Sequence, residues 1–315
     1  MSTDRRKIII DCDPGHDDAI AILLAAGNPK VELIGITTVA GNAELDKTTI
    51  NALKVCEIAG LNEVPVAKGA AQPLVKKRET AADIHGDSGM DGPILPAPTK
   101  QILGEHAVDF IIQKLLESDG DITLVPTGPL TNIAMALRKE PAIVPKIREI
   151  VVMGGGTFGN WTPAAEFNIF VDAEAAKVVF ESGVPLTMFG LDLTHQALAT
   201  PEIQERIKAI DSPVSDFVVE LLKFFMHTYK EVFGFDGAPI HDACCVMYCI
   251  DPSVFTCRKL NVEIETKGEF TYGMTVVDTL GVTGKEANVN VALGLDTDKF
   301  WSIMIDALSS YSDKK

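Results

Sequence analysis

Three isoleucines run straight into a cluster of acids near the start of this chain. Ile8-Ile9-Ile10 is followed by Asp11, Asp13, Asp17 and Asp18, four aspartates within eight residues. An apolar run with no polar alternation reads as a strand buried on both faces, as in a parallel sheet. The residues after it, Ala19 to Ala26, read as a packed helix. The aspartates therefore fall on a strand-to-helix turn, the edge where parallel α/β proteins gather their ligands. So many carboxylates at one turn repel each other unless something positive sits between them. A hard divalent cation held by oxygen is the natural neutraliser.

The rest of the 315 residues alternates strand and helix patterns. Strands are expected at 31–38, 64–67, 121–125, 149–153 and 185–191, with later ones at 260–265, 271–278 and 288–292. Helices are expected at 45–59, 106–117, 131–139, 172–182, through most of 201–234, and at 300–308. Residues 68–104, rich in Gly, Pro and charge, read as a long functional or mobile loop. This order predicts an α/β fold: a mostly parallel open sheet with helices on both faces. No repeat or linker interrupts it, so one domain covering 1–315 is expected.

Composition narrows the partners. The net charge is -16, from 28 basic and 44 acidic residues. That argues against nucleic acid or an anionic membrane, both of which need clustered Lys and Arg. No segment reads as membrane-spanning or as a signal peptide, so a cytoplasmic protein is expected. Cys12, Cys56, Cys244, Cys245, Cys249 and Cys257 form no CxxC pair and read as buried free thiols.

The strands end at Asp13, Asn42, Thr127, Gly154 and Asp192, which should meet along one sheet edge. Two further clusters are too polar for a core. One is the loop from Asn160 through Glu166 to Asn168; the other is Pro239-Ile240-His241-Asp242-Ala243, which opens an apolar helix. Each residue also has an ordinary reading. Asp17, Asp18 and Asp242 could cap helices, Asn160 and Asn168 could be turn residues, and His241 could be a satisfied histidine. His85 could be only a loop residue. Gly154-Gly155-Gly156 is not GxGxxG and gives little weight to dinucleotide binding.

Taken together the blocks resemble the nucleoside hydrolases. Asp11-Cys12-Asp13-Pro14-Gly15-His16-Asp17-Asp18-Ala19 is similar to that family's amino-terminal signature. Thr37 to Asn42, His85 to Gly89, Val125 to Asn132, Met153 to Gly156, Glu166-Phe167-Asn168 and His241-Asp242 follow in the family's order. The resemblance implies a Rossmann-like fold and a calcium-dependent N-ribohydrolase that splits ribonucleosides into ribose and base. It implies Ca²⁺ ligands at Asp13, Asp18, Asp242 and the Thr127 carbonyl. Asp13 would also be the general base toward the attacking water, and His241 the general acid for the leaving base. Asp17, Asn160, Glu166 and Asn168 would hold the ribose hydroxyls, with Asn42, Met153 and Phe167 beside them. His85 would touch the base, and Tyr229 and Phe233 would line its pocket. The family forms homodimers or homotetramers.

A His at position 241 resembles inosine–uridine or pyrimidine-preferring members, whereas purine-specific relatives surround the base with tryptophans. Trp161 and Trp301 fall outside the matching blocks. The expectation is an inosine–uridine-preferring or non-specific enzyme, with pyrimidine preference as the alternative. His16 departs from the family, which often has an apolar residue there; it is expected to face away from the site. Two other classes compete. A phosphatase of the haloacid dehalogenase type also begins with Asp-x-Asp, but it leaves Glu166, Asn168 and His241 without a role. A non-catalytic nucleoside- or ribose-binding protein would have no need of a general base.

Overall fold

The structure, a computed structural model, describes residues 5–312. In chain order the strands are β1 (Arg6–Cys12), β2 (Val31–Thr38), β3 (Val66–Lys68), β4 (Ile122–Pro126), β5 (Ile147–Met153), β6 (Leu186–Phe189), β7 (Leu198–Ala199), β8 (Ala238–Pro239), β9 (Phe255–Leu260), β10 (Val262–Ile264), β11 (Thr275–Val277) and β12 (Val289–Leu295). The helices are α1 (His16–Gly27), α2 (Leu45–Ile58), α3 (Ala82–His85), α4 (Ala107–Glu117), α5 (Thr131–Lys139), α6 (Phe167–Val171), α7 (Ala173–Phe180), α8 (Leu191–Thr194), α9 (Pro201–Lys208), α10 (Pro213–Phe233), α11 (Ala243–Ile250) and α12 (Thr297–Ser309).

The main sheet runs β3-β2-β1-β4-β5-β6-β12-β9. Every neighbouring pair is parallel except β12 with β9. The mostly parallel α/β sheet is therefore present. Strand pleating explains the isoleucine run: Ile8 and Ile10 enter the core beneath α1, α10, α11 and α12, whereas Ile9 enters the opposite core with α4, α5 and α7. The strand order reverses between β1 and β4. The connections leave those two strands in opposite directions and open a crevice at their carboxyl ends.

Several elements differ from the sequence expectation: the loop at 68–104 contains α3, the strand at 185–191 ends at Phe189 and gives way to α8, the strand at 271–278 shortens to β11, and β7 and β8 are unexpected. The strand expected at 260–265 is the shorter β10, and it is preceded, across Asn261, by an unexpected strand, β9. β9 lies on the sheet edge with Thr256, Arg258 and Lys259 exposed, so its sequence lacks a buried strand's apolar signal. The polar segment at 160–168 does not stay a loop to its end, because α6 begins at Phe167. Among the described residues, no helix is long and apolar enough to cross a membrane.

Candidate active site

Asp13 lies just past the end of β1, fully buried. Its Oδ2 accepts the backbone N–H of Asn42 at 2.7 Å, and the Asn42 amide donates to the Asp13 carbonyl at 3.1 Å. Its Oδ1 is buried and has no partner among the described residues. Two glycines press on this carboxylate. A Cβ at Gly41 would lie 2.0 Å from Asp13 Oδ2, and one at Gly128 2.3 Å from Oδ1. Neither position has room for a side chain, which explains Gly41 and Gly128 without any backbone strain.

Asp17 and Asp18 occupy the first turn of α1, where the helix dipole favours negative charge. Asp18 accepts the Gly15 N–H at 2.9 Å and the Thr127 hydroxyl at 2.7 Å. Asp242 stands at the N-cap of α11 but makes no capping bond. One carboxylate oxygen from each of Asp17, Asp18 and Asp242 lies within 4.8 Å of the others. Burial pushes the carboxyls of Asp13, Asp17, Asp18 and Asp242 up; repulsion from neighbouring aspartates adds to this at Asp13, Asp17 and Asp242, and hydrogen bonds pull back at Asp13, Asp17 and Asp18. Four crowded oxygen donors, one with an orphaned lone pair, fit a hard divalent cation. Asp11 is different. Its Oδ1 accepts from Thr37 at 2.6 Å and Asn132 at 2.8 Å, tying β1 to β2 and α5, while its Oδ2 is buried with no partner among the described residues.

Glu166 is the N-cap of α6 and accepts from the N–H groups of Asn168 at 2.9 Å, Ile169 at 3.1 Å and Gly155 at 3.0 Å. Asn168 donates to the Thr127 carbonyl at 2.8 Å, which leaves that oxygen one lone pair. Asn160 accepts from the Phe167 N–H at 3.0 Å, so its own amide N–H groups are free to donate. Across the crevice, His241 bonds the Tyr229 hydroxyl through Nε2 at 2.8 Å and the Thr194 hydroxyl through Nδ1 at 2.7 Å. Burial, then His195, holds His241 well below the usual imidazole range, so its ring is neutral. Burial, then Asp17, holds the Tyr229 phenol well above its usual range, so it keeps its proton.

These groups surround one cavity that opens to solvent. Asp17, Asn42, His85, Thr127, Met153, Asn160, Glu166, Phe167, Asn168, Tyr229, His241 and Asp242 line it, and Phe233 does too. Asp13 and Asp18 stand behind this lining, hydrogen-bonded to Asn42 and Thr127. Sequence reasoning missed Ala81, Ile84, Phe225 and the place of Trp161, all on the wall. Trp161 sits edge-on to Phe167 at 5.0 Å and donates to Glu79 at 3.0 Å. Nothing in its local sequence marked it, because residues 79–84 reach it from the long loop. Trp301 is buried core. His16 is fully buried and contacts His85, so it does not face away from the site.

The state of Glu166 gives a test. Burial outweighs its three N–H donors and pushes it up to about 7. A carboxyl raised on folding stabilises the fold fully below its unfolded value, and that contribution is lost as pH climbs to the folded value. Between pH 4.5 and about 7 the wild type should lose about 3 kcal/mol relative to Glu166→Gln. Urea melts of both proteins at pH 5 and pH 8 measure this. Parallel stability curves would mean the N–H donors win and Glu166 is an ordinary carboxylate.

A family model described as inosine-uridine preferring nucleoside hydrolase matches residues 8–302. The chain is 51% identical over 310 residues to the pyrimidine-specific ribonucleoside hydrolase RihB of Escherichia coli O17:K52:H18 (strain UMN026 / ExPEC), covering 98% of each protein. The Shigella flexneri protein of the same name is also 51% identical over 98% of each. Among solved structures, the purine-preferring ribonucleoside hydrolase from Gardnerella vaginalis matches with a TM-score of 0.92 at 35% identity, over 98% of this chain and 100% of that one. A plant nucleoside hydrolase, the PpNRh1 enzyme, matches with a TM-score of 0.88 at 32% identity, over 96% and 99%.

Proposed function

This chain belongs to the inosine-uridine preferring nucleoside hydrolase family, and from that membership we propose that it splits pyrimidine ribonucleosides into ribose and free base, using calcium. One arrangement carries the reading. A floor of carboxylates in need of a cation faces an imidazole–phenol pair across a single cavity. The pyrimidine preference rests on the 51% identity, over nearly the whole chain, to proteins named as pyrimidine-specific.

Asp17, Asp18 and Asp242, whose carboxylate oxygens already cluster, would hold calcium, and Asp13, whose Oδ1 lacks a partner among the described residues, and the Thr127 carbonyl, which keeps a free lone pair, would complete the ligand set. When bound, the ion supplies Lewis acidity toward water and hydroxyl oxygens. Asp13 is the general base: its carboxylate accepts a proton from the water that attacks the anomeric carbon. Asp17, Asn160, Glu166 and Asn168 hold the ribose hydroxyls and orient the sugar as it takes on oxocarbenium character. The bond between C1′ and the base nitrogen breaks with its electron pair going to the base. Tyr229 and His241, hydrogen-bonded in series, relay the proton that the departing base takes up, and that proton balances the one the attacking water gives to Asp13. A nucleoside-binding protein would use the same cavity but has no use for that proton donor or for Asp13. Free thiols fit a cytoplasmic setting, and a homodimer or homotetramer belongs to the same reading.

The test is ribose release, without phosphate, from uridine, cytidine, inosine, adenosine and 2′-deoxyuridine, with and without a calcium chelator. Fast release from uridine and cytidine, poor cleavage of the deoxy analogue and loss on chelation are expected. Equal rates with inosine would remove the pyrimidine preference. Release that survives chelation and returns with no added metal would remove calcium.

A further inference from the structure

His16 begins α1 and is fully buried, yet it makes no contact with the aspartate cluster that the hydrogen bonds reveal. Its ring lies parallel to Phe224 and Phe225, 5.1 and 5.0 Å away, each at 3°. Its Nε2 stands 2.7 Å from the backbone carbonyl of Asp91, and its Nδ1 stands 3.1 Å from Nδ1 of His85. His85 can come this close because residue 15 is glycine: a Cβ there would lie 2.4 Å from His85 Nδ1.

These contacts fix protons by elimination. A carbonyl only accepts, so His16 Nε2 carries a hydrogen. Both imidazoles are buried, His16 lies against two phenylalanine rings, and neither ring is hydrogen-bonded to a carboxylate that could compensate a buried charge, so both are neutral. A neutral ring with N–H at Nε2 has a bare lone pair at Nδ1. His85 must then donate from its own Nδ1, which leaves His85 Nε2 as a lone-pair acceptor. That nitrogen has no hydrogen-bond partner among the described residues, and His85 lines the cavity beside Phe225, 5.2 Å away.

We infer that His16, anchored on the Asp91 carbonyl, holds His85 in the Nδ1–H form so that its Nε2 accepts an N–H from the nucleobase. His16 is a positioning residue and His85 the selecting one. The ligand class is a base with a donor on the facing edge, such as N3–H of uracil or the 4-amino group of cytosine. For its substrate this rests on the hydrolase reading; the tautomer does not depend on it.

Two measurements test it. Long-range ¹H–¹⁵N spectra of the whole protein should show His85 protonated at Nδ1 and bare at Nε2, and His16 the reverse. In turnover, wild type should favour uridine over 3-methyluridine by roughly ten- to a hundredfold in kcat/KM, since the methyl group removes the donor. His16→Phe should collapse that ratio toward one. His16→Gln, whose amide can both donate to Asp91 and accept from His85, should keep most of it. A His85 protonated at Nε2, or a wild type indifferent to the methyl group, would overturn the inference. So would a His16→Phe protein that folds and keeps the full ratio. Should His16→Phe not fold, the wild-type spectrum and the His16→Gln ratio decide. Absence of ribose release from every nucleoside would count against the hydrolase reading, and the spectra would still judge the tautomer.

Discussion

Asp13→Ala should lower kcat for ribose release from uridine by at least about a thousandfold. The size follows from how completely the site is built around that carboxylate. One oxygen is held by the Asn42 N–H at 2.7 Å, the other is orphaned, and two glycines leave room for nothing but hydrogen beside it. No neighbouring aspartate can swing into its place, because Asp18 is held by Gly15 and Thr127 and Asp242 by its position on α11. Stability should move the other way. Without divalent ions the variant loses one of four carboxylates that repel each other, so its Tm should match or exceed that of the wild type. Added calcium should raise the wild-type Tm by mass action and raise that of the variant far less. Steady-state kinetics and calorimetry with and without calcium check both halves. Turnover near the wild-type rate would end the general-base role for Asp13.

His241→Ala should lower kcat on uridine by about 10²- to 10⁴-fold, the usual range for a lost proton donor. Inhibition by free ribose should barely change, since the groups proposed to hold the ribose, Asn160, Glu166 and Asn168, are untouched by the substitution and still line the cavity. A nitrophenyl riboside, whose leaving group needs no proton, should be cleaved almost normally by the variant. Tyr229→Phe should share this pattern, because the phenol and the imidazole are one hydrogen-bonded chain. A variant that lost mainly ribose affinity, or that lost both substrates equally, would make His241 a structural residue.

Much of this was legible in the sequence because it is local. The strand, the acidic turn and α1 follow from isoleucines, aspartates and an apolar helix pattern in direct succession. Residues from distant blocks reach one cavity because a parallel sheet aligns all its strand ends. What was not legible depends on tertiary partners. The edge strand β9 carries Arg258 and Lys259 and so looks like a loop. Trp161 joins the wall only because the loop at 79–84 folds over it. His16 departs from the family pattern and is expected to face away from the site, yet the structure buries it against two phenylalanines of α10 and in contact with His85. No local pattern announces a contact made across 208 residues of chain, from His16 to Phe224.

The reversal of strand order between β1 and β4 also bears on how the protein comes to life. Asp13, Thr127 and Asp242 come from the first, middle and last thirds of the chain, and none can find the others until β1 has paired with β4 across more than a hundred residues. Contacts of that sequence separation form late, after their loop-closure entropy has been met. A nascent chain emerging from the ribosome therefore carries its acidic turn for most of synthesis with nothing to complete it, and hydrolytic competence waits for the last of these segments to join the fold.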